Sequence, residues 1–469
     1  MAPQGSQKGN GSDPLPGLKN AGIGKKVCLE MKSQNIPQTM PVTSQDMFNY
    51  AARYGISNHT LQAVIHFKDK LDEAKLARAV RLSIDAEPVL GCFFVERENS
   101  PFWQRLFDPE KISWCRLEET KDREDSVMKF LLEPLNMDLD PQILALLLRY
   151  CQEDTLCIKL NHACCDGRSA REYLKLLAGL YTKLCRDPSF EPEPNVQGKR
   201  DQSAVLEAQG ITELKSSLIP EETEPTWAFP WQRSAEQESM QFSVTRIPSG
   251  NFRNIAAYAR AHGATINDII LTAYFRALFD MIEPKLYAPM EIQFTVDLRR
   301  YLPEEENISI SNLSGIESLR LPGIKCESFT STLERVVLAM KRIKIHFPGM
   351  QSALACELMR GMNSQEVLET VKKEWQTSLV SGKSSPMLTN LGVISPTPLF
   401  FGEVEAEDAY VVTPAFHAPA FMLGASTYNE VLTLTAGYYE SATKKEDVDH
   451  FLDLVVGGLS SCDIRTDRA

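Results

Sequence analysis

Apolar and polar positions alternate over LQAVIHF (61–67), which predicts a strand, and the LDEAKLARAVRLSI that follows carries Leu76, Ala79, Val80 and Ile84 at helical spacing. Pro88 ends that helix. PVLGCFFV (88–95), QILALLLRY (142–150) and TLCIKL (155–160) are apolar runs of strand length. The last leads directly into Asn161-His162-Ala163-Cys164-Cys165-Asp166-Gly167. Beyond Gly167, the residues Ala170, Tyr173, Leu174, Leu177, Leu180, Tyr181 and Leu184 recur on one face of a helix of about five turns, which stops before Pro188.

From 186 to 235 the pattern gives way to Pro, Glu, Gln and Ser, as expected of an exposed connection between two compact units. The pattern resumes with the alternating strand MQFSVTRI (240–247) and a helix ending at Gly263. Thr265 and Asp268 form a capping box at the head of INDIILTAYFRALF, and MEIQFTV (290–296) is a strand that runs into DLRRYLP. Residues 1–40, rich in Gly, Ser, Pro, Lys and Gln without periodicity, read as a disordered tail. The expected organisation is therefore a tail (1–40), an N-terminal lobe (41–185), a linker (186–235) and a C-terminal lobe (236–469). Strands and helices mix in both lobes, which gives an α/β or α+β class.

Composition narrows the function. With 43% hydrophobic and 24% charged residues in 469, the chain is an ordinary folded protein, too long for one core. A net charge of -12 has the wrong sign for a nucleic-acid binder. No apolar run approaches the roughly 20 residues needed to span a bilayer, and the first twenty residues hold no apolar stretch for a signal peptide, so the expected location is cytoplasmic. Eleven cysteines, several inside apolar runs and none in a CxxC pair, read as reduced buried thiols. Neither a GxGxxG nor a GxxxxGK[ST] loop is present.

NHACCDG carries the chemistry. It sets a His and an Asp between a strand end and a helix start, where sites occur in α/β sheets. His162, as neutral imidazole, can take a proton from a hydroxyl, amine or thiol near pH 7. Asp166, four residues on, would fix geometry, and Gly167 permits a sharp turn or a close approach of substrate. The competing reading is a hydrogen-bonded His at a strand end and an Asp that merely caps the next helix. Spacing alone leaves the two readings level.

The stretch resembles the HHxxxDG motif of the condensation domains of non-ribosomal peptide synthetases, within the CoA-dependent acyltransferase superfamily that includes chloramphenicol acetyltransferase. LDEAKLARAVRLSIDAEPVLGCFFV, GATINDIILTAYFRALF, FTVDLRRYLP with ISNLSG, and LTNLGVISP resemble further segments of that family, so the likeness spans about 45 to 460. The first His of the motif is Asn161 here, and the Arg usual in the early strand is replaced around Gly91. The resemblance implies two chloramphenicol-acetyltransferase-like lobes in a V around a central tunnel, with His162 at its middle. It also implies that Asp166 turns away from substrate to pair with Arg299 of the other lobe. Asn161, Arg299, Asn312, Thr389 and Asn390 are the implied substrate or tunnel residues.

The expected activity is transfer of an acyl group from a thioester to a hydroxyl or amine, in specialised metabolism, by a monomer lacking adenylation and carrier segments. No cofactor is implied beyond the donor itself, carried on CoA or on phosphopantetheine, with a carrier protein as the alternative partner. Short basic clusters (Lys341, Arg342, Lys344; Lys372, Lys373) favour free acyl-CoA. Cyclisation or rearrangement of a metabolite, and a non-catalytic scaffold, are the other readings. Cys164 and Cys165 beside His162 are poor metal ligands, because successive strand-end side chains diverge. His66 and His417 read as structural.

Overall fold

The computed structural model describes residues 36–97, 101–136, 140–211, 224–234, 239–303, 309–324 and 326–461. The tail expected over 1–40 lies outside the described residues as far as 35; at its end Thr39–Pro41 pairs antiparallel with Phe102–Arg105.

Thr60–Phe67 is buried along nearly its whole length, so it is an interior strand and not a half-exposed one. Glu153–Asn161 flanks it on one side, with Val64 opposite Cys157. The sheet continues through Ile143–Tyr150 to a parallel strand, Cys115–Glu119. On its other side lies Val404–Val412, antiparallel, with Val64 opposite Tyr410. A strand from the last quarter of the chain thus completes the sheet begun by the first quarter. Glu73–Ala86 and Gly167–Arg186 pack on one face, burying Leu76, Val80 and Ile84 against Tyr173, Leu177 and Leu184.

PVLGCFFV, expected as one strand, divides. Pro88–Gly91 is a 3-10 turn and only Cys92–Val95 is extended. Proline's fixed φ and missing N–H suit a first helical position, and this outweighs the apolar run.

The second sheet orders Ser314–Pro322, Pro289–Asp297, Met387–Val393, Met422–Tyr428, Val431–Tyr439 and Ala415–Phe416, with Met240–Ile247 paired to Val431–Tyr439. Met387–Val393 runs parallel to both its neighbours. Ile266–Ile282 and Lys445–Ser460 cover this sheet through Ile269, Phe275, Phe451 and Val455. Both expected helix ends are present: Gly263 has φ +61° and Thr265 with Asp268 forms a reciprocal capping box. The fold is mixed α/β.

The Pro- and Glu-rich connection is not simply exposed. Val205 and Leu206, on the short helix Gln202–Ala208, are buried against Leu298, Leu313 and Met350, while Trp227 and Phe229 enter the second core. A few apolar residues inside a polar stretch are enough to dock it.

Two glycines test this packing. Gly179 is exposed inside Gly167–Arg186 and an added Cβ would meet nothing within 4 Å, so Gly179→Ala should stabilise the protein by about 0.5–1 kcal/mol. At Gly315 the Cβ would fall 2.4 Å from the backbone oxygen of Gly349, so Gly315→Ala should destabilise by about 1–3 kcal/mol. Denaturant midpoints of opposite shift are the expected result; equal midpoints would contradict the packing of Ser314–Pro322 on Met350–Leu358.

Candidate functional site

The site begins where the strand Glu153–Asn161 ends. Asn161 Oδ1 accepts from Ala163 N at 2.9 Å, a local turn that only a short polar side chain can make. His162 N donates to His59 O at 3.0 Å, Cys164 N to Asn161 O at 3.2 Å, and Asp166 N to Ser311 O at 3.1 Å. The loop's carbonyls are held too. Asn49 Nδ2 donates to His162 O at 3.2 Å, and Asn312 Nδ2 to Ala163 O at 2.8 Å. This hydrogen bonding leaves the loop little freedom.

Asp166 proves to serve in both of the roles weighed for it. One carboxylate oxygen caps the helix Gly167–Arg186, accepting from Ser169 N at 2.8 Å. The other accepts from Arg299 Nη1 and from Leu313 N, each at 2.8 Å. Arg299 also donates from Nη2 to Ser169 Oγ, Ser311 O and Ser311 Oγ (2.9–3.1 Å), and from Nη1 to Asp297 Oδ1 at 3.1 Å. The carboxylate therefore faces a guanidinium and two backbone amides, away from the imidazole. Burial opposes its ionisation, but the Arg299 charge and these hydrogen bonds prevail and hold its pKa below the usual range.

His162 is half-buried. Burial pushes its imidazole below the ordinary value, while its own backbone carbonyl, the Asp166 charge and the Asn312 side chain pull the other way. A second ring, His59, lies 5.5 Å away with φ +44°, and its Nδ1 is 2.6 Å from Ser57 Oγ. Burial and the neighbouring His162 hold His59 well below the ordinary range. Burial thus disfavours the charged form of both imidazoles.

Asn161, His162, Asp166, Gly167, Arg299 and Asn312 come together in one cluster. Gly167 is needed for contact: a Cβ there would lie 2.4 Å from Leu391 Cδ2. Leu391 brings Met387–Val393 against the motif, but its neighbours Thr389 and Asn390 bond elsewhere, to Thr295 Oγ1 at 2.9 Å and Asn267 Oδ1 at 3.4 Å. Cys164 and Cys165 are buried, and both direct Sγ to Asn161 O. His66 bonds Thr155 Oγ1 at 2.9 Å, and His417 stacks on Tyr439. The basic clusters at 341–344 and 372–373 are exposed on separate helices.

The sequence reading missed the helix Ser44–Ala52, which supplies Asn49 and the fully buried Asp46. Its signal was present as a capping box, with Thr43 and Asp46 bonding reciprocally. Asp46 accepts from Arg200 Nη2 and Trp103 Nε1 at 2.9 Å and from Asn312 Nδ2 at 3.1 Å. The same helix borders a cavity of about 650 Å³ lined by Met47, Tyr50, Tyr54, Arg97, Ser364 and Leu368, among others.

Residues 55–282 match the model of the Condensation domain family. Among solved structures, the chain is similar to the trichothecene 15-O-acetyltransferase of Fusarium sporotrichioides, at 12% identity and TM-score 0.68, over 91% of this chain and 95% of that one. The first condensation domain of the calcium-dependent antibiotic synthetase, in complex with a substrate analogue, aligns at 15% identity and TM-score 0.66, over 91% and 96%. The epimerization domain from the third module of tyrocidine synthetase B aligns at 15% and 0.59, over 90% and 96%. No curated protein sequence matches the chain. Among the described residues, no helix is long and apolar enough to cross a membrane.

The Asp166–Arg299 pair can be tested by a double-mutant cycle. Each side chain is nearly buried, so Asp166→Ala and Arg299→Ala should each cost roughly 3–5 kcal/mol, and the double variant less than their sum. The sign with pH follows from the lowered Asp166 value. Its contribution is present above the unfolded carboxyl's value near pH 4 and is lost as pH falls through the folded one, so Asp166→Ala should flatten the stability curve below about pH 4. Additive single variants, or an unchanged acid limb, would show that the pair does not act as described.

Proposed function

We propose that the chain, whose fold is that of the condensation domains and the acetyltransferase it is similar to, is an acyltransferase in which His162 is the general base. The observation that supports this most directly is a half-buried imidazole just past a strand end, beside a carboxylate whose oxygens are taken by Arg299 and by the backbone amides of Ser169 and Leu313. In this reading a substrate hydroxyl or amine loses its proton to the imidazole and its heteroatom attacks the thioester carbonyl. The tetrahedral oxyanion collapses, the carbon–sulfur bond breaks, and the imidazolium returns its proton to the leaving thiolate. The products are an ester or amide and a free thiol, with no proton unaccounted for.

Acyl-CoA is the favoured donor and a small molecule the acceptor, with a carrier-bound donor as the alternative. The two solvated basic clusters fit a few phosphates better than a broad acidic carrier surface. The likeness to an epimerization domain keeps one other reading in view, that His162 moves a proton within one bound metabolite.

His162→Ala should lower turnover by roughly 10²–10⁴-fold with nearly unchanged melting temperature. Because burial depresses the imidazole's pKa, the acid limb of kcat/KM should fall below pH 6.5, with a plateau at neutral pH. Near-full activity in His162→Ala would contradict the base assignment. Calorimetric titration with a panel of acyl-CoAs tests the donor, and absence of binding to a folded protein would exclude it.

A further inference from the structure

The helix Met350–Leu358 buries Met350, Ala353 and Leu354 in the cluster that also holds Val205, Leu206, Leu298 and Leu313. The next position on that face is Glu357, a carboxylate only 1% exposed where the spacing calls for an apolar side chain. A buried acid needs a partner or a proton. The cation beside it is Arg360, in the 3-10 turn Met359–Gly361, whose Nη2 lies 2.6 Å from Glu357 Oε2. The same nitrogen lies 2.5 Å from Oδ1 of Asp201, the residue that caps the helix Gln202–Ala208. Two carboxylates that meet on one nitrogen stand within about 5 Å of each other and share its charge.

The other groups packed around the helix do not relieve this pair. Ser44 faces Glu357 from the helix Ser44–Ala52, yet its hydroxyl and both Glu357 oxygens lack hydrogen-bond partners. Asp46 on that same helix is held by Arg200, and Glu317 of Ser314–Pro322 accepts from Gly349 N at the opposite end of Met350–Leu358. The neighbouring Cys356 thiol is pushed up by burial and stays neutral. With one proton on the two acids, the acids and the guanidinium together carry no net charge. Glu357 is the more deeply buried acid, and burial and then the Asp201 charge push it up to about 7 against the pull of Arg360.

Asp201 is the middle of three successive grips by the connecting segment. Arg200 binds Asp46 at 2.9 Å and Ile310 O at 3.1 Å, Asp201 accepts from Arg360, and Gln202 Nε2 donates to Ser314 O at 3.2 Å and to Gln45 Oε1. We propose that Asp201 and Glu357 form a proton-held clasp: one proton on the two acids keeps Gln202–Ala208 docked on Met350–Leu358, and its loss as pH rises loosens that helix. The clasp is independent of the reaction assigned to His162 and can be measured without substrate. A carboxyl raised above its free value of 4.5 contributes docking stability that is fully present below that value and is lost as pH rises through about 7.

Hydrogen–deuterium exchange of the full chain, corrected for the intrinsic rate at each pH, reads the clasp in peptides spanning 200–208. Their protection should fall about 10-fold from pH 6 to pH 8, the change that linkage sets for these two values, while protection of Gly167–Arg186 stays constant. Glu357→Gln keeps the shape of the side chain without its charge and should hold protection level over that range. Asp201→Asn retains an N-cap and leaves Glu357 with Arg360 to itself, so it should shift the fall to lower pH, which keeps the test open if the first variant does not fold. Protection of 200–208 that stays flat from pH 6 to pH 8 in the unmodified protein would overturn the proposal. So would an equal fall in folded Glu357→Gln, or a fall of the same size in Gly167–Arg186, which marks a loss of global stability.

Discussion

One buried carboxylate decides how the two sheets meet. Asp166 closes the loop that follows the strand Glu153–Asn161 of the first sheet, caps the next helix, and accepts from Arg299 and Leu313 on the segment that links two strands of the second. Neither ion could be left in that interior alone. The attraction is therefore a constraint as much as a stabilisation: any relative displacement that breaks the contact strands a charge. The loop between Asn161 and Asp166 inherits its shape from both ends of that constraint.

A second carboxylate does the same for the helix Ser44–Ala52. Asp46 gathers Arg200 from the connecting segment, Trp103 from the small sheet and Asn312 from the second half. The two acids are linked through consecutive residues, since Asn312 binds Asp46 and Leu313 N binds Asp166. The segment Ser311–Leu313 is thus the common strut, with its three successive residues all bonded to the motif or its supports. Burial of Asn312 and Leu313 removes competing water from these bonds.

Much of this was readable in the sequence, for local reasons. The strand-to-helix passage around NHACCDG, the capping box at Thr265 and the glycine stop at Gly263 are set by nearest neighbours, and all three are present. What stayed hidden is long-range. Nothing in EAEDAYVV announces that it pairs with LQAVIHF more than three hundred residues earlier. Arg200 sits in a stretch that reads as polar linker, yet it is buried against Asp46. The Asp166–Arg299 contact came from resemblance and not from spacing, because an ion pair across 133 positions leaves no periodic trace. Ser44–Ala52 escaped notice because its apolar positions are few and its buried face is partly polar, with Asp46 and Asn49 facing inward.

The arrangement also constrains what kind of chemistry His162 can serve. Asp166 directs its oxygens to Arg299 and to backbone amides, so it cannot relay a proton with the imidazole; its influence is only the reach of its charge. The adjacent thiols are no better placed to act. Cys165 is held far above the ordinary thiol range by its neighbour Cys164 and by burial, and both sulfurs face the Asn161 carbonyl. A thiol kept protonated is a poor nucleophile. If His162 acts as a base, as proposed, its nucleophile arrives with the substrate. In the proposed reading that favours direct attack by the acceptor on the donor, with both bound at once, over a covalent acyl-enzyme. In that reading the protein needs to hold the imidazole in place, and the loop's backbone is hydrogen-bonded to Asn49, His59, Ser311 and Asn312.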